Sequence, residues 1–276
     1  MKRALVALAR KLGLRILHDS PDPVLRNLLA AHGALRLSQD APALWDHTLS
    51  RLASEQKLRH LLHHFSIDLV VDIGANRGQF AQSLRCLGYA GEIVSFEPIT
   101  RHCDELAEAC RADGCWTVHR CAIGAVEATL PLNVYADSQF SSLHRVNTAG
   151  TAEFASFTEI DHVETVPVRP LDALWPEITG GRTRRVLIKT DTQGHERDVL
   201  AGATKSLAAA HVLLTEAAII PIYEDAARFD ELAALLAQQS YKLSALFPIS
   251  FRAADLALIE LDCFFVRTAP AAPTPA

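Results

Sequence analysis

The spacing of apolar positions changes near residue 67. Upstream, they recur at helical intervals. Leu25, Leu28 and Leu29 form a stripe after the start signal Ser20–Pro21, with Gly33 as a stop. A second helical stretch opens at Asp40 and Pro42 and runs to about Phe65, its apolar faces supplied by Leu44, Leu49, Leu52, Leu58, Leu61 and Leu62. Downstream, short and nearly continuous apolar runs alternate with helical patterns, which is how strands covered on both faces of a parallel sheet read. These runs predict strands at Asp68–Ile73, Glu92–Phe96, Thr117–Ala122, Val186–Thr190, Val212–Thr215, Lys242–Leu246 and Cys263–Val266, with helices at about 78–87, 101–111, 195–209 and 226–239. An insertion from Glu127 to Pro170 separates the third and fourth strands and looks extended over Thr165–Arg169. The alternation predicts an α/β fold, a doubly wound and mostly parallel sheet whose ligand crevice lies outside the carboxyl ends of its strands. The chain divides into a helical cap (1–66), an α/β domain (67–268) and a Pro- and Ala-rich tail (269–276) expected to be disordered.

Composition narrows the function classes. With 49% hydrophobic and 21% charged residues in 276, the chain is ordinary globular protein. A net charge of −5 supplies no basic field for nucleic acid phosphates, so a small-molecule enzyme is the better fit. The six cysteines show neither paired metal spacing nor the density of a disulfide scaffold, and they read as reduced thiols of a cytoplasmic protein. No apolar run reaches the length of a spanning helix. In residues 1–17, Lys2, Arg3, Arg10, Lys11 and Arg15 alternate with leucines and isoleucine. That pattern suits a peripheral helix on a membrane surface, but more often it marks a helix packed on its own protein or on a second subunit, as in a homodimer.

The strongest local signal is Val70–Phe80, V-V-D-I-G-A-N-R-G-Q-F, a buried strand ending in a glycine-bearing turn that feeds a helix. Gly74 lets the backbone turn sharply beside a ligand, and Gly78 permits close entry into the helix. Glu97 ends the next strand about 20 residues on, where an acid can accept from both hydroxyls of a ribose. The turn lacks the G-x-G-x-x-G pattern of a pyrophosphate site, and Asp72 would repel phosphate while suiting a cofactor that carries an amino group and a sulfonium. S-adenosylmethionine therefore fits better than a dinucleotide.

The motifs V-D-I-G-A-N-R-G-Q-F, S-F-E-P, A-I-G at Ala122–Gly124, S-S-L at Ser141–Leu143, V-R-P-L-D at Val168–Asp172, I-K-T-D-T-Q-G-H-E at Ile188–Glu196 and T-E-A at Thr215–Ala217 resemble, in this order, the FkbM family of methyltransferases. The likeness covers about residues 67–268. It implies a seven-stranded class I (Rossmann-like) methyltransferase sheet, S-adenosylmethionine as donor, and O-methylation of a sugar, glycoconjugate or natural product. It also implies that Asp72, Gly74, Asn76 and Gly78 form the turn around the methionine moiety, that Glu97 holds the ribose, and that Cys121, Ala122 and Ile123 line the adenine, although apolar strand ends such as Ala122 and Ile123 equally serve as core.

Methyl transfer to an aliphatic hydroxyl needs a base or a metal to remove the proton. Lys189–Glu196 is the best place to look, because a polar group terminates a buried run there. Asp191 is the first candidate for base or for ligand of a cation such as Mg²⁺, with Glu216, Glu196 and His144 behind it and Gln193 as an orienting group. Asp191 also reads as a helix N-cap, and Glu196 as a first-turn residue facing the helix dipole. Ser141 and Ser142 sit in the insertion, where a loop can fold over the cofactor or merely turn. Tyr223 and Phe247 suit stacking on an acceptor ring or plain core packing. His60, His63 and His64 share a helix face without a supporting carboxylate. Two readings compete: a nicotinamide-dependent oxidoreductase, and a non-catalytic cofactor-binding or assembly protein.

Overall fold

The structure is a computed structural model and describes residues 42–147, 154 and 159–268; the basic stretch 1–17, the stripe at Leu25–Leu29 and the tail 269–276 lie outside the described residues. In chain order the elements are α1 (Pro42–His64), β1 (Leu69–Ile73), α2 (Gln79–Cys86), β2 (Glu92–Phe96), α3 (Thr100–Asp113), β3 (Trp116–His119), β4 (Ala122–Ile123), β5 (Ala128–Tyr135), a 3₁₀ turn (Ser138–Phe140), β6 (Ile160–Arg169), α4 (Leu171–Thr179), β7 (Val186–Thr190), α5 (Glu196–Ala201), α6 (Thr204–Ala209), β8 (Val212–Ala218), α7 (Phe229–Gln238), β9 (Tyr241–Phe251) and β10 (Leu258–Arg267). Among the described residues no helix is long and apolar enough to cross a membrane.

Seven strands form one sheet in the order β3-β2-β1-β7-β8-β10-β9, and β10 alone runs against its neighbours. Side-chain alternation explains the two-sided burial. Leu69, Val71 and Ile73 of β1 pack into one apolar cluster with Phe96 and Ile188, while Val70 joins Ile93, Leu187 and Phe264 in the cluster on the other face. Each such fully buried side chain contributes about 1.5–3 kcal/mol relative to exposure. Leu58, Leu61 and Leu62 of α1 belong to this second cluster, so the helix is tied to the sheet rather than standing off it. The strand order reverses between β1 and β7, and the crevice at that switch point is where an open α/β sheet presents a ligand site.

The structure corrects five expectations about elements. The third strand stops at His119: the carbonyl of His119 accepts from both Glu97 and Cys121, the chain turns, and Ala122–Ile123 pairs with β6 in a separate three-stranded sheet, β4-β6-β5. The insertion is thus a β-hairpin arm, with strand pairing well beyond Thr165–Arg169. The single helix expected at 195–209 is two. Gly202 lies so close to Gly124 that a Cβ would meet its carbonyl, and Asp172 caps the second helix by accepting from the backbone N–H groups of Lys205 (2.9 Å) and Ser206 (2.8 Å). Helix α4 has no counterpart in the expected elements, because Pro176 interrupts its pattern. The last two strands, β9 and β10, are roughly twice as long as expected, an extension carried by their mutual antiparallel pairing.

Candidate active site

At the switch point the loops after β1 and β7 touch. Asp191 N–H donates to the Ile73 carbonyl (3.1 Å), and a Cβ on Gly74, whose φ is 77°, would sit 1.9 Å from the Asp191 carbonyl oxygen. Glycine at 74 is therefore demanded by the neighbouring loop. Gly78, at φ 82°, packs beneath Trp116 and Leu106 and has no room for a Cβ.

A cavity of about 1070 Å³ opens over these loops. One end is bounded by Gly74, Ala75, Asn76 and Glu97, with Ile99, Cys121, Ala122, Ile123 and Leu132 as an apolar wall. The 138–143 segment, including Ser141 and Ser142, closes over it. Lys189 sits where the Gly74 loop meets Asp191, Gln193 and Glu216, and from these the cavity continues past Glu260 and Asp262 of β10 to Ser50, Arg51 and Ser54 of α1.

Eleven of the residues singled out in the sequence, Gly74, Asn76, Glu97, Cys121, Ala122, Ile123, Ser141, Ser142, Asp191, Gln193 and Glu216, line this cavity. Asp72, Gly78, His144 and Glu196 stand behind its wall. Asp72 is fully buried at its register position opposite Lys189, whose Nζ lies 3.1 Å from its carboxylate, and Ser95 donates to it. Glu196 accepts from the backbone N–H (2.8 Å) and hydroxyl (2.9 Å) of Thr192, so it braces the loop. His195 occupies the N-cap position of α5, which leaves Asp191 free of that duty. His144 does not line the cavity itself and meets it only through His195, whose ring nitrogen lies 2.9 Å from its own and which does line it. Tyr223 is buried against Gly194 and Phe247 packs edge-on against Phe264, so neither ring faces the cavity and both serve as core.

Glu97 is held by backbone. Its two oxygens accept from the N–H groups of Asn76 (2.7 Å) and Ile99 (2.8 Å), which leaves lone pairs on both for a ligand. Burial pushes its pKa up to about 7, against the lowering effect of those two donors. Ser142, also buried, donates to the Gln193 carbonyl (2.6 Å) and so ties the insertion to the β7 loop.

Between the Gly74 loop and Asp191 the central group is Lys189, which the sequence reading missed. Its ammonium donates to the Gly74 carbonyl (2.8 Å), lies 3.1 Å from Asp72 and 3.5 Å from Asp191, and sits 5.6 Å over the Phe80 ring. Burial alone would lower its pKa, but the charges of Asp72 and Asp191 outweigh it and hold the ammonium above the ordinary lysine range. The available signal was a lysine inside the otherwise apolar run V-L-I-K-T. Burial acts to raise Asp191 too, yet Lys189 and the hydrogen bonds around its carboxylate keep it below the usual carboxylate range. Its side chain remains 39% exposed, open to the cavity.

Gln193, held in a left-handed conformation at φ 54°, bridges the strand ends. Its amide nitrogen donates to Asp191 (2.8 Å) and Glu216 (3.1 Å), while its oxygen accepts from Tyr223 (2.9 Å). Glu216 is pushed well above the usual range by burial and by the charges of Glu260 and Asp191. Burial raises Glu260 as well, and brings Asp262 to about 6. The cluster thus favours the ionised form of Asp191 and the protonated form of its neighbour Glu216. It does not suit a divalent cation: a fixed ammonium already neutralises Asp191, and the Gln193 amide occupies both carboxylates.

The family described as Methyltransferase FkbM domain matches residues 72–243. No curated protein sequence matches the chain. Among solved structures, the chain is similar to magnesium protoporphyrin IX methyltransferase from Synechocystis PCC 6803, at 11% identity over 90% of this chain and 98% of that one, with a TM-score of 0.44. It is also similar to 1,6-didemethyltoxoflavin-N1-methyltransferase from Burkholderia thailandensis (11% identity, 93% and 94% covered, TM-score 0.41) and to an O-methyltransferase from Bacillus cereus (12%, 96% and 97%, 0.39).

Proposed function

The chain belongs to the FkbM family of methyltransferases, and from that premise we propose that it transfers a methyl group from S-adenosylmethionine to a hydroxyl oxygen of a sugar, glycoconjugate or other polar small molecule. Its sheet is that of a class I methyltransferase. The observation that carries the proposal is the single cavity joining Glu97 at one end to Asp191, Gln193 and Glu216 at the other.

The residues present fit the donor. Glu97 offers two acceptor oxygens with lone pairs to spare for ribose hydroxyls, the apolar wall from Ile99 to Leu132 suits adenine, and the Gly74–Asn76 loop suits the amino-acid end. When bound, S-adenosylmethionine supplies an electrophilic methyl on a sulfonium and leaves as S-adenosylhomocysteine.

The acceptor end prepares the nucleophile. Asp191, kept ionised by Lys189, takes the hydroxyl proton as the new O–CH₃ bond forms and the S–CH₃ bond breaks. Gln193 holds Asp191 in place and also donates to Glu216, whose raised pKa favours the protonated form. The polar extension past Ser54, Ser250, Glu260 and Asp262 suits a polyhydroxylated acceptor. Orientation of the two reactants in one cavity supplies much of the remaining rate. The test is mass spectrometry of sugars, glycolipids and polyketide alcohols incubated with purified protein and S-adenosylmethionine. A product heavier by one methylene, with the methyl on oxygen, supports the proposal; a methyl found on nitrogen or carbon overturns the oxygen assignment.

A further inference from the structure

At the cavity wall, which His195 helps to line, the insertion loop and the start of α5 bring three metal-ligating side chains together. His144 Nε2 lies 2.9 Å from His195 Nδ1, Asp198 Oδ2 lies 3.6 Å from the same nitrogen, and all three ligand atoms fall within 4.8 Å of one another. His195 is the N-cap of α5 and Asp198 lies three residues on, in its first turn, which brings the two side chains within 3.6 Å. His144 comes from a different part of the chain and is aimed at them.

The positions are fixed by the fold. His144 N–H donates to Ser142 Oγ (2.9 Å), its carbonyl accepts from Asn133 Nδ2 (3.1 Å), and Ser142 is itself anchored on Gln193. The His195 ring lies against Gly124, where a Cβ would come within 3.0 Å of Nε2. Of two neutral imidazoles facing each other one donates to the other, and moving that proton to the distal nitrogen of its own ring leaves two lone pairs converging beside a carboxylate.

We infer that His144, His195 and Asp198 form a binding site for a transition-metal ion of the zinc class, which clamps the insertion arm to the loop carrying Asp191 and Gln193. Zinc–nitrogen bonds of about 2.0–2.1 Å place tetrahedral ligands about 3.3 Å apart, so the two spacings from His195 Nδ1 need shifts of only about 0.4 Å, while that between His144 and Asp198, bounded at 4.8 Å, can close by rotation of the partly exposed Asp198 side chain. Two imidazoles and one carboxylate form a common zinc set and leave a fourth position for water. Protonation of the imidazoles competes with the metal, so binding weakens as pH falls. The site shares no ligand with the Asp191–Gln193–Glu216 group, although His195 lines the same cavity, and metal binding is read independently of the methyl-transfer proposal.

The test uses tag-free full chain, stripped with chelator, dialysed, and titrated with Co²⁺ as a spectroscopic probe. Visible d–d absorption should saturate at one equivalent per chain, and Zn²⁺ should bleach it. His144→Ala, at a half-buried loop position, should weaken Co²⁺ binding about tenfold or more, as should Asp198→Asn. Circular dichroism of both metal-free variants should match that of the parent. His60→Ala/His64→Ala, which removes the neighbouring histidine pair on α1, should leave the titration unchanged. Absence of d–d absorption, an undiminished titration in His144→Ala, or its loss in His60→Ala/His64→Ala would overturn the assignment.

Discussion

Glu97 and Asp191 face one cavity from opposite ends, and the fold treats them oppositely. Glu97 is 4% exposed and meets two backbone N–H groups, while His102, 3.9 Å away, is kept neutral by burial. Its carboxylate titrates near neutrality. Asp191 has an ammonium beside it and an amide donating to it, and it stays ionised despite the acids around it. Backbone donors fix a carboxylate's position without matching its charge; a buried lysine does both. The first arrangement suits a group that accepts hydrogen bonds from a ligand. The second suits one that must remain an anion until it takes a proton.

The largest effect should come from removing what separates the two cases. Lys189→Met leaves fully buried Asp72 without its cation, and breaking a buried pair from one side should cost about 3–5 kcal/mol in urea unfolding. A loss below about 1 kcal/mol would mean that the pair supports little. Next is Asp191→Asn, nearly isosteric but uncharged, which should lower kcat by about 10²-fold or more, the scale of general-base loss. Full activity in that variant would move the base to another group. Glu97 should then show its raised pKa directly. Its carboxylate is ionised above about 7, so S-adenosylhomocysteine affinity should fall about tenfold from pH 8 to pH 6 and become flat in Glu97→Gln. An equal slope in both proteins would assign the titration elsewhere. The smallest effect expected is none: Mg²⁺ added to chelator-treated, dialysed enzyme should not raise turnover, and clear activation would put a cation on Asp191 after all.

The legible parts of the chain were those whose meaning is local. Strands β2 and β7 match their expected limits, Glu92–Phe96 and Val186–Thr190, because a continuous apolar run buried on both faces needs no partner to be recognised. The oxidoreductase reading gave way for a related reason, since the motifs that exclude a pyrophosphate turn are also those of the methyltransferase family. What stayed hidden depends on pairing. Lys189 acquires its role from lying in register with Asp72, and Asp262 from lying in register with Glu216. The insertion strands expose most of one face and alternate weakly, so β6 carries little apolar signal before Val166. Asp172 looked like part of a motif and proved to cap a helix more than thirty residues away.

The separation of the two ends is the central claim, and calorimetry of S-adenosylhomocysteine against Glu97→Ala and Asp191→Asn tests it most directly. Glu97→Ala should weaken binding by about 1.5–3 kcal/mol through lost hydrogen bonds to a charged acceptor. Asp191→Asn should leave affinity within about threefold of the parent, a change below about 0.7 kcal/mol. Unchanged affinity in Glu97→Ala, or a loss in Asp191→Asn as large as that predicted for Glu97→Ala, would contradict the division of the cavity into a donor end and an acceptor end.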